Sequence, residues 1–346
     1  MERIGSETVA LYADLHMRLE AYEAMRSIGH LQGNFTSKTI NGITYHYFQT
    51  TLPDKRTQIY IGPDTPEIKQ LIEDHRSETK NPDQLLMQRL ASQIIAGGVS
   101  PMPTEMAKII GRLADCGLFQ VGGVLVGTIA FKVLGTHLGV LWESISHHTQ
   151  DIDFATGRNI AFAVPDLKAD VPAALESLQM GFFPVPRLSR SEPSTSYAIR
   201  GKTLQVDLLT TMIKGQTAPR FIHRLNAAAA PLKYIDYLID NCCTAVLLAG
   251  TPCLVRVPKP AHYALHKLII SQERDLSSTA KKRKDLQQAH ALLELLSSDR
   301  PGDIPIAFET LQKHGAGWIK LLRKGTADML SNFGNNAILD ELLRDV

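Results

Sequence analysis

The chain has 346 residues, 44% of them apolar and 21% charged, with a formal net charge of +2. That length allows two or three domains, and the apolar share is that of an ordinary globular protein. The near-neutral balance excludes a whole-chain attraction to nucleic acid or an anionic membrane, leaving only local patches, and no unbroken apolar run reaches the roughly 18 residues of a membrane span.

Residues from about Ser6 to Ser27 predict a helix, with Leu11, Leu15, Leu19 and Tyr22 at helical spacing. Gly29 and Gly33 break it. Thr39-Ile40, Asn41-Gly42 and Ile43 to Phe48 then predict a hairpin with a type I′ turn. A second turn at Pro53-Asp54-Lys55 and a strand over Thr57–Ile61 complete a small β-meander. Its Tyr45, Tyr47, Phe48 and Tyr60 accompany Lys38, His46, Lys55 and Arg56, and a sheet of this kind serves either packing or base stacking. Thr65 to Arg89 predicts a second helical stretch. Pro101 and Pro103 mark a boundary, followed by a helix to Gly117, a strand over Val121–Val126, Gly127-Thr128, and a helix over Ile129–Leu138. A short helix over Pro172–Met180 and strands over Ser196–Arg200 and Lys202–Thr210 come next. Beyond Gln216 the pattern is mostly helical, with one strand at Cys253–Val257. The division this suggests is a helical and meander module over 1–100, a core of mixed strands and helices over 101–215 and a mostly helical domain over 216–346.

Cys116, Cys242, Cys243 and Cys253 lack metal-site or disulfide-scaffold spacing, which suits reduced thiols. Met1-Glu-Arg-Ile-Gly-Ser-Glu7 carries no basic-then-apolar leader. The expectation is a cytoplasmic protein without a membrane partner.

Three aspartates carry the chemistry. Asp151 and Asp153 sit in Thr149-Gln-Asp-Ile-Asp-Phe-Ala155, and Asp207 sits in Leu204-Gln-Val-Asp-Leu-Leu-Thr210. In a strand, residues i and i+2 share a face, so Asp151 and Asp153 point together while Ile152 and Phe154 point the other way. Asp207 repeats the pattern between Val206 and Leu208. If the two strands are neighbours, roughly 4.8 Å apart, three carboxylates converge, and such a cluster is relieved by protonation or by a cation. Oxygen-only ligands suit Mg²⁺, which is often shared with substrate phosphates. Gly122 to Gly127 has the glycine spacing of a phosphate loop but lacks the lysine and hydroxyl that must follow. His147 and His148 read as loop residues before ligands.

The order of strand, Gly127-Thr128, helix, Asp-x-Asp and a later single Asp resembles the nucleotidyltransferase superfamily of DNA polymerase β. Phe119 to Phe131, Pro258-Lys-Pro-Ala-His-Tyr-Ala-Leu-His-Lys-Leu268 and Lys284-Asp285 look like a bacterial branch of that superfamily, and Tyr45 to Phe48 and Gln58 to Gly62 look like its leading module. The resemblance implies an α+β fold, a small mixed sheet with helices, and transfer of a nucleoside monophosphate from an NTP to a hydroxyl acceptor such as an RNA end. By it, Asp151, Asp153 and Asp207 hold two Mg²⁺ ions and activate the hydroxyl. Gly127, Thr128, Lys267 and Arg274 meet the phosphates, and Asp285 braces a basic side chain. The alternative is a nucleotidyltransferase-fold protein that has lost catalysis and binds nucleic acid or a protein. One departure is the length of residues 129–150, longer than the common pattern and containing Gly135, His137 and Gly139, which suits a substrate loop.

Overall fold

A two-residue strand, β1 (Glu2–Arg3), precedes helix α1 (Ser6–Met25). Leu15 and Leu19 of α1 are buried, as their spacing predicts, and Tyr12 joins them. The computed structural model describes residues 1–25, 33–40, 42–50, 58–76, 82–142, 151–157, 168–187, 189, 192–213 and 215–344. By their contacts these form two compact units, one of Ser6–Leu118 with Val246–Leu254 and one of Met1–Gly5, Phe119–Ala245 and Val255–Val346.

The first unit contains the meander: β2 (Gly33–Ile40), β3 (Ile43–Thr50) and β4 (Gln58–Pro63), antiparallel and adjacent in that order. Ile40 pairs with Ile43, and Gly42 takes φ +80°, a left-handed value that suits glycine in a tight hairpin. Asn41 and the expected turn at Pro53–Lys55 lie outside the described residues. One face of the meander buries Phe35 and Phe48 against Ile72 of α2 (Pro66–Arg76). The alternate positions put Tyr45, Tyr47 and Tyr60 on the other face, with ring centroids 6.2 Å (Tyr45 to Tyr60) and 5.6 Å (Tyr47 to Tyr60) apart. Of the helical stretch predicted over 65–89, α2 and α3 (Pro82–Ala96) are helical, and residues 77–81 between them lie outside the described residues. Pro82 stands at the start of α3, where a first helical turn suits proline. Helix α4 (Thr104–Asp115) starts after Pro103, as expected, and buries Met106, Ile109, Ile110 and Leu113 along one face.

In the second unit β5 (Gly123–Val126) leads into α5 (Gly127–His137), and β6 (Val140–Leu141) pairs with β1. Then come β7 (Asp151–Thr156), α6 (Val171–Ser177), β8 (Phe182–Pro184), β9 (Ser196–Ile199), β10 (Gln205–Thr211), β11 (Arg220–Ile222) and β12 (Ala227–Leu232). These strands, apart from β6, make one mixed sheet in the order β11-β12-β10-β7-β5, with β9 also on β10 and β8 on β9. Along the edge of β10 away from β7, β9 pairs with residues 205–207 and β12 with residues 209–211. Helix α7 (Ile235–Ile239) packs Ile235, Leu238 and Ile239 on Val124, Val126 and Ala155. Ala155 shares a face with Asp151 and Asp153, so α7 covers that face beyond the acids rather than over them.

The stretch expected to be mostly helical beyond Gln216 is so only from Pro260; before that the five-residue α7 is its one helix among the described residues. Before that, β11, β12 and β13 (Cys242–Leu247) stand besides the expected strand, which is β14 (Cys253–Pro258). The run Ala227-Ala-Ala-Ala230 favours helix locally, yet Ala227, Ala228 and Ala229 are buried in the sheet, where pairing and burial override propensity. None of the four cysteines is in a disulfide. Burial pushes the Cys242 and Cys253 thiols up to about 12 and Cys243 up to about 11, so they stay protonated and unreactive. Among the described residues no helix is long and apolar enough to cross a membrane.

Helices α8 (Pro260–Ile270), α9 (Thr279–Asp299), α10 (Asp303–Gln312), α11 (Ala316–Asn332) and α12 (Ala337–Arg344) complete the unit. Helix α8 is buried on nearly every side, between α9, α10 and α11. At Gly325 of α11 a Cβ would stand 2.2 Å from the carbonyl oxygen of Leu268. Gly325→Ala should therefore force the helices apart and lower the urea midpoint by the equivalent of about 1–3 kcal/mol. An unchanged midpoint would show that this approach is not required.

Candidate active site

Strands β7 and β10 run parallel and in register, Asp207 opposite Asp153 and Gln205 opposite Asp151. Ile152, Phe154, Val206 and Leu208 are at most 2% exposed on the opposite face, which fixes the register, since a one-residue slip would bury the carboxylates instead. The three aspartates named from sequence thus share one face of two adjacent strands. On the far side of β7, Val126 pairs with Asp153, so β5 delivers Gly127 to the same place. Gly127 takes φ +67°, and a Cβ there would stand 2.2 Å from Asp153 Oδ2. Backbone conformation and carboxylate both demand glycine at this point. Thr128 follows in the first turn of α5, where backbone N–H groups lack helical partners and favour anions. Ser196, opposite Asp207 on β9, donates its hydroxyl to Asp207 Oδ1, and Gln205 Nε2 donates to the same oxygen at 2.7 Å.

The charges oppose one another. Burial, then the negative charges of Asp207 and Asp151, push the Asp153 carboxyl up to about 7, against the pull of Lys267 and Lys281. Burial and Asp207 likewise raise Asp151, and Lys281 and Lys284 offset part of this. Burial lowers Lys132 of α5. Burial, then repulsion from Lys267, lowers Lys284 of α9, with Lys132 adding to it.

Lys267 is 7% exposed and donates to Asp285 Oδ1 at 2.6 Å. Arg274 Nε donates to Asp285 Oδ2 at 2.9 Å. Burial alone would raise Asp285, but Lys267 and Arg274 outweigh it and hold the carboxyl below its ordinary value. Asp285 thus braces two cations. Arg274 does not share α8, the helix that Pro260 starts, with Lys267. That helix ends at Ile270, a 3₁₀ turn covers Ser271–Glu273, and Arg274 reaches Asp285 from extended backbone.

Lys132 is absent from the sequence expectations, and Lys284 enters them only within the Lys284-Asp285 pair, with no role of its own. A lysine between Phe131 and Val133 in an apolar helix is the signal for the first. Lys284 lay hidden in a basic run that reads as a solvated helix start. His147 and His148 lie outside the described residues. Gly135, expected in a substrate loop, is inside α5, where a Cβ would meet Trp142 Nε1 at 2.4 Å. The Trp142 indole donates to the Phe131 carbonyl at 2.8 Å, so that glycine serves packing. Burial, then nearby Lys259 for His262 and Lys267 for His266, lowers these histidines to about 4 and about 3; neither carries charge at neutral pH.

Among the described residues no three His, Cys, Asp or Glu side chains are gathered closely enough to hold a metal as they stand. The donor set still fits a hard divalent cation. It offers oxygen ligands only, and the charge on Asp153 stays disfavoured until a positive ion offsets it.

A family model described as nucleotidyltransferase matches residues 104–312, well over half of the chain. No curated protein and no solved structure matches it. The family match spans α4 to α10, including the glycine turn, the three aspartates and the lysine–aspartate brace, and the chain belongs to the nucleotidyltransferase family.

Proposed function

We propose that the protein moves a nucleoside monophosphate from an NTP to a hydroxyl acceptor, releasing pyrophosphate, with Mg²⁺ held by Asp151, Asp153 and Asp207. The observation that carries this is the register of Asp207 opposite Asp153, beside the Gly127 turn. Bound there, Mg²⁺ would supply positive charge to the phosphoryl oxygens as bonds to phosphorus form and break. The protein's own groups do the rest. Asp207 takes the acceptor's proton, with Ser196 and Gln205 fixing its Oδ1 and leaving Oδ2 for the task. The Thr128 amide meets phosphate at the start of α5, next to Gly127, whose missing side chain leaves room for the approach. Lys267, locked by Asp285, presents charge without a flexible tether. Arg274 shares Asp285 and offers its remaining N–H groups, and Lys132 and Lys284 add two desolvated cations.

For the acceptor, RNA is the class favoured, on the outward tyrosine face of the meander. Lys38 lies 5.0 Å from the Tyr47 ring centroid. Such a face stacks unpaired bases while cations meet their phosphates.

Incubation with labelled NTPs, Mg²⁺ and total RNA tests the reading. Wild type should label RNA, and Asp207→Asn should slow transfer about 10²–10⁴-fold. Equal labelling by both sinks the catalytic assignment. Replacing Tyr45, Tyr47 and Tyr60 together by Ala should weaken salt-dependent RNA binding; unchanged binding, or label appearing on protein, removes RNA as the acceptor. RNA binding without any transfer would match the non-catalytic alternative instead.

A further inference from the structure

Gly127 is the most freely rotating residue at the centre of the site, so something outside the turn must hold its backbone. Tyr263 of α8 is fully buried, and its hydroxyl donates to the Gly127 carbonyl at 2.9 Å. A peptide group is planar and trans, so the Gly127 C=O and the Thr128 N–H lie on opposite edges of one plane. Fixing the carbonyl therefore fixes the direction of the amide that starts α5.

The tyrosine is itself held. Gln288 of α9 is fully buried, with its side-chain oxygen 3.2 Å from Tyr263 Oη and its amide nitrogen without a partner. A phenol has one hydrogen to give, and the Gly127 carbonyl takes it. Exchanging the oxygen and nitrogen of the Gln288 amide, which are alike in shape, lets its NH₂ group donate to Tyr263. The exchange gives the buried nitrogen an acceptor and leaves a chain of donors running from Gln288 to Tyr263 to Gly127. The same two helices carry Lys267, one turn beyond Tyr263, and Asp285, one turn before Gln288. One helix pair thus governs both the glycine turn and the basic brace.

We infer that Tyr263, oriented by Gln288, is a positioning residue that aims the Thr128 N–H at the nucleotide phosphates, an inference that rests on the nucleotidyltransferase function above. Tyr263→Phe removes the donor and keeps the ring. Gln288→Glu replaces the orienting donor with an acceptor that takes the phenol hydrogen away from Gly127. Both variants should keep the wild-type circular dichroism spectrum while raising KM for NTP about tenfold, with the acceptor KM unchanged. The double variant should be no worse than either single one. Amide hydrogen exchange at Thr128, measured without nucleotide, should quicken about tenfold in both.

Wild-type exchange and wild-type KM in both variants would overturn the positioning role while the catalytic reading stands. Faster exchange with unchanged KM would overturn the link to the nucleotide. Failure of wild type to bind NTP at all would overturn the catalytic reading and, with it, the nucleotide as the target of the amide.

Discussion

Replacing Asp153 with Asn should abolish transfer while making the protein harder to melt. Asp153 has an ordinary carboxyl value of 3.8, and in the fold burial, Asp207 and Asp151 push it up to about 7. Between these two values the folded chain binds a proton that the unfolded chain does not. Stability therefore falls as pH rises through that window, and the loss is complete above about 7. Asparagine has no charge to lose. At pH 8 in a chelating buffer, Asp153→Asn should gain up to about 4 kcal/mol over wild type, and near pH 4 the gain should vanish. Calorimetric melts at the two pH values check this. Transfer should fall at least about 10²–10³-fold. A variant that melts below wild type at pH 8 would show that the carboxylate is already compensated within the protein.

Asp285→Leu should give the largest loss of stability. The carboxylate is 3% exposed and accepts from Lys267 and Arg274. Without it Lys267 keeps a buried charge with no partner, and breaking such a pair costs about 3–5 kcal/mol. Arg274, 34% exposed, can turn to solvent. Removing both buried charges in Lys267→Met/Asp285→Leu should restore most of the urea midpoint without restoring transfer. A single Asp285→Leu variant as stable as wild type would mean that water reaches Lys267 and that the brace is dispensable.

The contrast between these two carboxylates explains what the sequence makes legible. Alternation along a strand is local, so the shared face of Asp151 and Asp153 and the acid position of Asp207 can be read directly from Ile152, Phe154, Val206 and Leu208. The adjacency of the two strands is not local: some 50 residues separate Thr156 from Gln205, and only the resemblance to a known family suggests that they pair. Gly127 is legible as a turn before a helix, but its contact with Asp153 Oδ2 depends on β5 lying against β7. Asp285 was expected to brace a cation, and it braces two. The Ala227–Ala230 strand was hidden because its propensity points to helix. Tyr263 reads as a core aromatic at helical spacing, and nothing in that pattern reveals a hydroxyl aimed at a backbone oxygen 136 positions earlier. Local periodicity gives faces; long-range pairing decides which faces meet.

On the proposed function, the face carrying Asp151, Asp153 and Asp207 should take up divalent ions with nucleotide. Calorimetric titration of Mn²⁺ into wild type and Asp153→Asn, each with a non-hydrolysable NTP, measures it directly. Wild type should show saturable binding that tightens from pH 6 to pH 8 as the Asp153 proton is displaced, and the variant should bind at least about tenfold more weakly with no such pH dependence. Equal affinity and equal pH dependence in the two proteins would contradict it.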